Sequence, residues 1–347
     1  MTTDGTTGPR LAAAARAVAA LAAKAALTLF GLLLVTFVIA RVVPIDPVLA
    51  AVGDRASTET YARVRAEMGL DKPLAVQFAR YVAAVAKGDL GRSALTRSSV
   101  GDDIRRFFPA TLELATAATL LGLVFGLPAG VLAAARHNRW PDHVLRVLSL
   151  FGYSVPVFWL GLMALLLFYA DLGWVAGPGR LDPWLDDIVP ARTGLLLIDA
   201  ALAGNGRVLA SALAHLVLPA AVLGYYSLAY ISRMTRSLML NELGQEYIVV
   251  ARAKGLSETR VLWRHALGNV LVPLATVATL AYAQLLEGSV LTETVFAWPG
   301  IGRYITGSLL SLDMNAVMGG TLVVGLVFIG LNLLVEGIYP LLDPRTR

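Results

Sequence analysis

Runs of about twenty apolar residues constrain this chain more than any other feature. A helix needs roughly 20 such residues to cross about 30 Å of hydrocarbon. The stretch AALTLFGLLLVTFVIARVV, residues 25–43, is the first that qualifies. Others follow at approximately 110–135, 144–170, 208–231, 266–292 and 316–342. Composition agrees, since hydrophobic residues make up 57% of the 347 and charged ones 15%. Soluble domains run at roughly half and a quarter. Too few charges remain for a soluble surface, so the expected fold class is an all-α integral membrane protein with six transmembrane helices.

The net charge of +5 does not point to nucleic acid, because the basic residues flank apolar spans and form no aromatic-interleaved face. Cysteine is absent, which excludes disulfides, thiolate metal sites and Cys nucleophiles. Arg10, Arg16 and Lys24 precede the first apolar run, as in a signal peptide. Ile39 and Arg41, however, flank Ala40 where small residues would mark cleavage, so the first span is read as uncleaved.

Cytoplasmic loops retain Lys and Arg. Arg136 and Arg139 lie in one short loop, and Arg233, Arg236, Arg252, Lys254, Arg260 and Arg264 in another. The segment 171–207 is acidic instead, with Asp171, Asp182, Asp186, Asp187 and Asp199. Both termini are therefore expected in the cytoplasm, with 44–109 and 171–207 outside. Within 44–109, Ser57 opens a helical pattern through Met68, Gly69 stops it, and Pro73 starts another through Val85. Pro156 and Pro219 are expected to kink the third and fourth spans.

Enzyme signatures are missing. The four lysines, Lys24, Lys72, Lys87 and Lys254, follow Ala, Asp, Ala and Ala, whereas a P-loop lysine follows Gly. His137, His143, His215 and His265 belong to no HExxH, and no Ser sits in GxSxG. Ser211 and His215, four apart on the fourth span, are the one local nucleophile–base pair. A polar contact between packed helices is the preferred reading of them, over an intramembrane hydrolase.

Between the fourth and fifth spans lies EYIVVARAKGLSETRVLWRHALGNVLVP, Glu246 to Pro273. It reads as two short helices around a turn at Gly255, the first from about Glu242 to Lys254 and the second capped by Ser257. Tyr247, Val250, Ala253, Val261, Leu262 and Trp263 give it more apolar surface than a solvated connector needs. Such a hook suits docking in a partner's groove.

This segment resembles the cytoplasmic EAA loop of ABC importer permeases, in the variant of the dipeptide/oligopeptide/nickel family. That variant reads D/E-Y-V-x-x-A-R-A-K-G-L, then R-H-A-L-P-N. The chain supplies Glu246, Tyr247, Ala251, Arg252, Ala253, Lys254, Gly255 and Leu256, then Arg264, His265, Ala266, Leu267 and Asn269. It departs at Gly268, where the family has Pro, and at Val249, where the general EAA pattern has Glu. Further blocks resemble the family in order: FVIARVVPIDP with Ile45 in place of Gly, GLDKPL, GDLGRS, PATLEL, ETVFAWPGIGR and the C-terminal LLDPRTR.

The resemblance implies an ABC importer type I permease fold with a structured periplasmic loop. Its parts would be an N-terminal extension 1–24, a first transmembrane helix 25–43, a periplasmic loop 44–109, a transmembrane domain 110–342 containing the coupling loop 242–269, and a tail 343–347. It implies a multi-pass permease subunit of the bacterial inner membrane, embedded in lipid and paired as a heterodimer with a second homologous permease. One or two ATPase subunits would bind ATP and magnesium, and a periplasmic or lipid-anchored binding protein would deliver substrate. This chain would hold no cofactor, metal or catalytic residue. Dipeptides or oligopeptides are the implied cargo, with nickel complexes, glutathione or another small solute as alternatives. A stand-alone secondary transporter or channel is one rival class, and a membrane enzyme or structural scaffold is the other.

Ionisable groups at membrane depth are functional candidates. Glu287 is the deepest acidic one, with Tyr282, Gln284, Ser289 and Thr292 nearby as candidates for the translocation path. A polar contact between paired subunits is the competing reading. Glu113 and Glu336 lie nearer span ends, where an exposed carboxylate is expected.

Overall fold

The computed structural model describes the backbone of residues 7–42, 48, 52–53, 56–67 and 69–342. The side chains of 7–18, Val42, Glu287 and 335–342 lie outside the described residues. So do Ile45 and most of the block around it, Glu336 as a side chain, and the tail 343–347.

The fold is all-α. In chain order the helices are α1 Thr7–Val42, α2 Thr58–Glu67, α3 Leu74–Ala86, α4 Val100–Ala135, α5 Trp140–Ser154 and α6 Val157–Ala164. Then come α7 Leu196–Leu202, α8 Gly206–Leu243, α9 Glu246–Ala253, α10 Glu258–Arg260 and α11 Leu267–Gly288. The chain closes with α12 Val290–Val295, α13 Ile301–Leu310 and α14 Met314–Leu342. Two π-helical stretches, Leu165–Asp171 and Val261–Ala266, continue α6 and α10.

Among the described residues, five stretches are long and apolar enough to cross a membrane: Ala19–Arg41, Val100–Ala135, Gly206–Leu243, Glu258–Leu286 and Met314–Leu334. A sixth is formed by α5 and α6 only if the two count as one span, because the pair bends by 99°. Proline explains the break. Pro156 lacks an N–H and drives Val155 into an extended conformation, φ −87° and ψ 125°. The expected kink is therefore a corner. Pro219, by contrast, is accommodated inside an unbroken α8.

The chain divides into two compact units. The first comprises Met1–Asp103 and Ser308–Leu334. Here the sequence pattern of 57–85 is realised closely. Ser57 Oγ accepts the Thr60 N–H at 3.2 Å ahead of α2, Gly69 turns the chain with φ +67°, and Pro73 stands at the N-cap of α3. Phe78 of α3 packs edge-on against Phe30 and Phe37 of α1, with ring centroids 5.8 and 5.3 Å apart. The GDLGRS turn is pinned by Asp313, which accepts from the Ser93 hydroxyl and from the Leu95 N–H at 3.1 Å.

The second unit comprises Ile104–Gly307 and Val335–Arg347. Its centre is α8, which packs against α5, α6, α7 and α11. The approach of α4 to α8 depends on three glycines spaced four apart, Gly122, Gly126 and Gly130. A Cβ at Gly122 would overlap the Ser227 side chain, and one at Gly126 would lie 3.0 Å from the Leu228 carbonyl oxygen. At Gly130 it would lie 2.6 Å from both the Ser232 carbonyl oxygen and Thr235 Cβ. Small residues let membrane helices pack backbone to backbone where the hydrophobic effect cannot drive them together.

Candidate functional site

The loop between α8 and α11 is a built hook. Helix α9 ends in a Schellman motif: the Gly255 N–H reaches Arg252 O at 2.9 Å and the Leu256 N–H reaches Ala251 O at 3.3 Å. That geometry needs a left-handed residue, and Gly255 has φ +78°. Across the turn Arg252 and Glu258 form an ion pair, Nε to Oε1 at 2.7 Å and Nη2 to Oε2 at 3.3 Å. Being exposed, the pair aligns the helices more than it stabilises them.

The hook is anchored by apolar burial. Ile248, Ala251, Val261, Ala266, Leu267, Val270 and Leu274 form one cluster with Val131 and Ala134 of α4 and Met239 of α8, and Leu256 packs against it. A polar clasp closes the base. The Tyr247 hydroxyl donates to Glu242 at 2.6 Å, and Asn269 Nδ2 donates to Glu242 at 3.1 Å and to the Tyr247 oxygen at 2.9 Å. Burial, and then the Glu242 carboxylate, push the Tyr247 phenol up to about 12, so it stays a donor at neutral pH.

With the apolar side thus spent, the outer side is left to solvent. Val249, Val250 and Trp263 are exposed, as are Glu246, Arg252, Ala253, Lys254 and Arg264. His265 is half-buried and its carbonyl faces the Tyr247 hydroxyl at 3.4 Å.

Three sequence expectations are corrected here. Helix α9 starts at Glu246, and Glu242 belongs to the end of α8. Ser257 occupies the N-cap of α10 but makes no side-chain capping bond. Val261, counted among the apolar residues that the loop would present, is buried in the core, and so is Ala251 of the motif. Gly268 is exposed with nothing within 4 Å of a Cβ, and it follows a π-helical stretch where the i→i−4 ladder is already open. Gly268→Pro is therefore expected to leave uptake at the wild-type level, as measured by transport in cells carrying the variant.

The candidate path residues separate into different environments. The Tyr282 hydroxyl is half-buried, 3.2 Å from the Thr116 hydroxyl, and Gln284 is exposed. Ser289 is fully buried and donates to Glu293 at 3.0 Å. Thr292 is buried, its hydroxyl without a hydrogen-bond partner among the described residues. The Glu287 side chain is outside the described residues.

Glu293 is the buried carboxylate that sequence reasoning missed. It is fully buried, and its oxygens accept from the Thr111 hydroxyl at 2.6 Å, Ser289 and the Arg303 N–H at 2.9 Å. A Cβ on Gly300 would overlap that carboxylate, and one on Gly302 would lie 2.7 Å from the Val290 side chain. Nearby, Trp298 Nε1 donates to Ala110 O at 2.8 Å. The block ETVFAWPGIGR is thus a knot tying α12 and α13 to α4. Glu293→Ala would strand several buried donors at about 1–3 kcal/mol each. A clear fall in the melting temperature of the detergent-purified chain is expected, and a smaller one for Glu293→Gln.

At the same end of the unit, Glu113 is buried, contrary to expectation. Its Oε2 accepts from Arg180 Nε at 3.0 Å and Nη2 at 2.6 Å, and its Oε1 from the Leu197 N–H at 2.8 Å. Ser211 and His215 do not make a nucleophile–base pair. The Ser211 hydroxyl donates to Asp182 at 2.7 Å, and His215 Nδ1 donates to the Ser211 carbonyl at 2.8 Å. They fasten the segment around Asp182 to α8.

At the opposite end, Asp142 of α5 is fully buried and accepts from Arg236 Nη2 at 2.9 Å. The basic loops near 136–146 and 233–265 thus share one end of this unit, and the acidic segment 177–199 lies at the other.

The fold and site thus define an apolar helical bundle that carries an anchored helical hook. The sequence matches the family described as binding-protein-dependent transport system inner membrane component over residues 126–347, and that family's N-terminal region over 16–115. The chain belongs to this family and is a permease component of a binding-protein-dependent transport system. It is 47% identical over 319 residues to the probable D,D-dipeptide transport system permease protein DdpB of Escherichia coli K12, covering 92% of this chain and 94% of that one. It is 46% identical to the di/tripeptide transport system permease protein DppB of Pseudomonas aeruginosa, covering 92% and 95%. A solved structure of the MetNI methionine ABC transporter shares the fold with a TM-score of 0.51 at 18% identity, covering 70% of this chain and 96% of that chain.

Proposed function

We propose that this chain is one of two different permease subunits of an ATP-driven importer of dipeptides. The hook carries the reading: two short helices, locked by Gly255 and the Arg252–Glu258 pair, present Val249, Val250 and Trp263 to solvent from a rigid apolar base. Exposed apolar side chains on a preorganised helical element suit a partner's groove. The partner is an ATPase subunit, which binds ATP and magnesium. Closure of the ATPase pair pushes the hook, and the spans pass the motion on as a rigid-body change. A binding protein delivers peptide from outside. The dipeptide assignment is supported by the names of the relatives.

Both termini and the hook face the cytoplasm in this arrangement. Reporter fusions after Arg139 and Lys254 are expected to read cytoplasmic, and fusions after Asp89 and Asp187 external. An external reading at Lys254 overturns the orientation. The function itself is tested by purification. The tagged chain is expected to bring down a second permease and ATPase subunits, and by itself to turn over no ATP. ATP turnover by the chain alone removes the proposal.

A further inference from the structure

Two stripes of different chemistry run along α8. One, in the half toward Gly206, holds the exposed Ala210, Leu213, Ala214, Val217 and Ala221, all small or aliphatic. The other, toward the hook, holds Tyr226 and Tyr230, half-buried, with Arg233 and Ser237, exposed, at spacings that share one helix face. At about 100° per residue the two stripes lie on roughly opposite sides of α8. The polar stripe continues onto α5. Arg233 sits over the ring of Tyr153, 4.4 Å from its centroid, and the rings of Tyr153 and Tyr226 are 5.5 Å apart.

Neither lipid nor internal pairing explains this face. Arg236, one turn further on, is neutralised by Asp142. Arg233 has no carboxylate partner among the described residues. An interfacial aromatic belt accounts for tyrosines at headgroup level. Tyr226, however, lies ten residues from Arg236, about 15 Å deeper along the helix. Tyrosine hydroxyls at that depth, with the Arg233 guanidinium reaching toward them over the Tyr153 ring, face protein or a water-filled cavity rather than acyl chains.

We propose that Tyr153, Tyr226, Tyr230 and Arg233 form a station on the translocation path that holds the free carboxylate of a peptide in transit. The inference rests on the reading of the chain as a peptide permease. The cluster offers one cation and several hydroxyl donors and contains no acid, so it recognises an anion with acceptor oxygens. Every unmodified peptide carries one at its C-terminus, whatever its side chains. The Tyr153 ring already satisfies part of the guanidinium's field, so the hold is weak enough to release, as conduction through a path requires.

The test uses the assembled transporter in proteoliposomes, with p-benzoylphenylalanine in place of Tyr230 and a radiolabelled dipeptide. Irradiation is expected to attach the label to this chain. Excess unlabelled dipeptide is expected to abolish labelling, and the same dipeptide with an amidated C-terminus to leave it. Arg233→Gln in that background is expected to cut labelling about tenfold, with partial recovery in Arg233→Lys. Cross-links to phospholipid or to the second permease, or equal competition by acid and amide, overturn the station. ATP-driven dipeptide uptake by the wild type is measured in parallel. If the wild type imports no dipeptide, the peptide reading falls and the station with it. If uptake is normal in wild type and Arg233→Gln alike and no label appears, only the station falls.

Discussion

Gly255→Val is expected to abolish uptake while leaving the chain in the membrane at near-normal levels. The residue holds φ +78° at the end of α9, where the Schellman bonds from Gly255 and Leu256 close the helix. A side chain in that region costs roughly 1–2 kcal/mol, and more when β-branched. No neighbour obstructs a Cβ there, since nothing lies within 4 Å. The penalty is therefore conformational and local. It falls on a surface turn, so the spans still insert and pair, but α9 and α10 lose their mutual angle and with it the fit to the proposed ATPase partner. Gly255→Ala is expected to be milder. Transport assays beside membrane immunoblots decide the matter. A solvated connector would instead give normal uptake with Gly255→Val at normal levels.

Gly130→Val is expected to fail earlier, in folding. The backbone of α4 at Gly130 meets the Ser232 carbonyl and Thr235 so closely that any Cβ must push the helices apart. Overpacking typically costs 1–3 kcal/mol, and here the obstructing atoms include backbone, which cannot rotate away. The same helices carry Val131, Ala134 and Met239, the floor on which the hook is anchored. Separation thus removes both bundle and hook. The folded fraction in fluorescence-detected size exclusion is expected to drop severely, with uptake lost in proportion. Wild-type elution would show that α4 and α8 do not pack as described.

How much of this was legible in the sequence depends on the range of the interaction. The spans and the helices α2 and α3 follow from local apolar runs, Ser57, Gly69 and Pro73. Gly255 was legible too, because a left-handed helix stop writes itself into one residue. Val261 shows the limit within the hook: it was grouped with Val250 and Trp263 as apolar surface, but only packing in one cluster with Met239 and Val131 decides that it faces inward while they do not.

Long-range partners were invisible. Glu113 reads as an ordinary span-end carboxylate until Arg180, distant in sequence, folds onto it. Glu293 was passed over for Glu287 because its burial is made by Thr111 on another helix and by two glycines that leave it room. Pro156 announced a bend but not its 99°, which the packing of α5 and α6 on α8 sets. The spacing of Gly122, Gly126 and Gly130, four residues apart on one helix face, is a local signature that the sequence reading did not use.

The most direct test of the account is dipeptide uptake into proteoliposomes containing this chain, its second permease and the ATPase subunits, with binding protein on the opposite side from the hook. Accumulation of labelled dipeptide is expected only when ATP and magnesium are present on the hook's side, and an imposed proton or sodium gradient without ATP is expected to give none. Uptake driven by such a gradient in the absence of ATP would contradict the account.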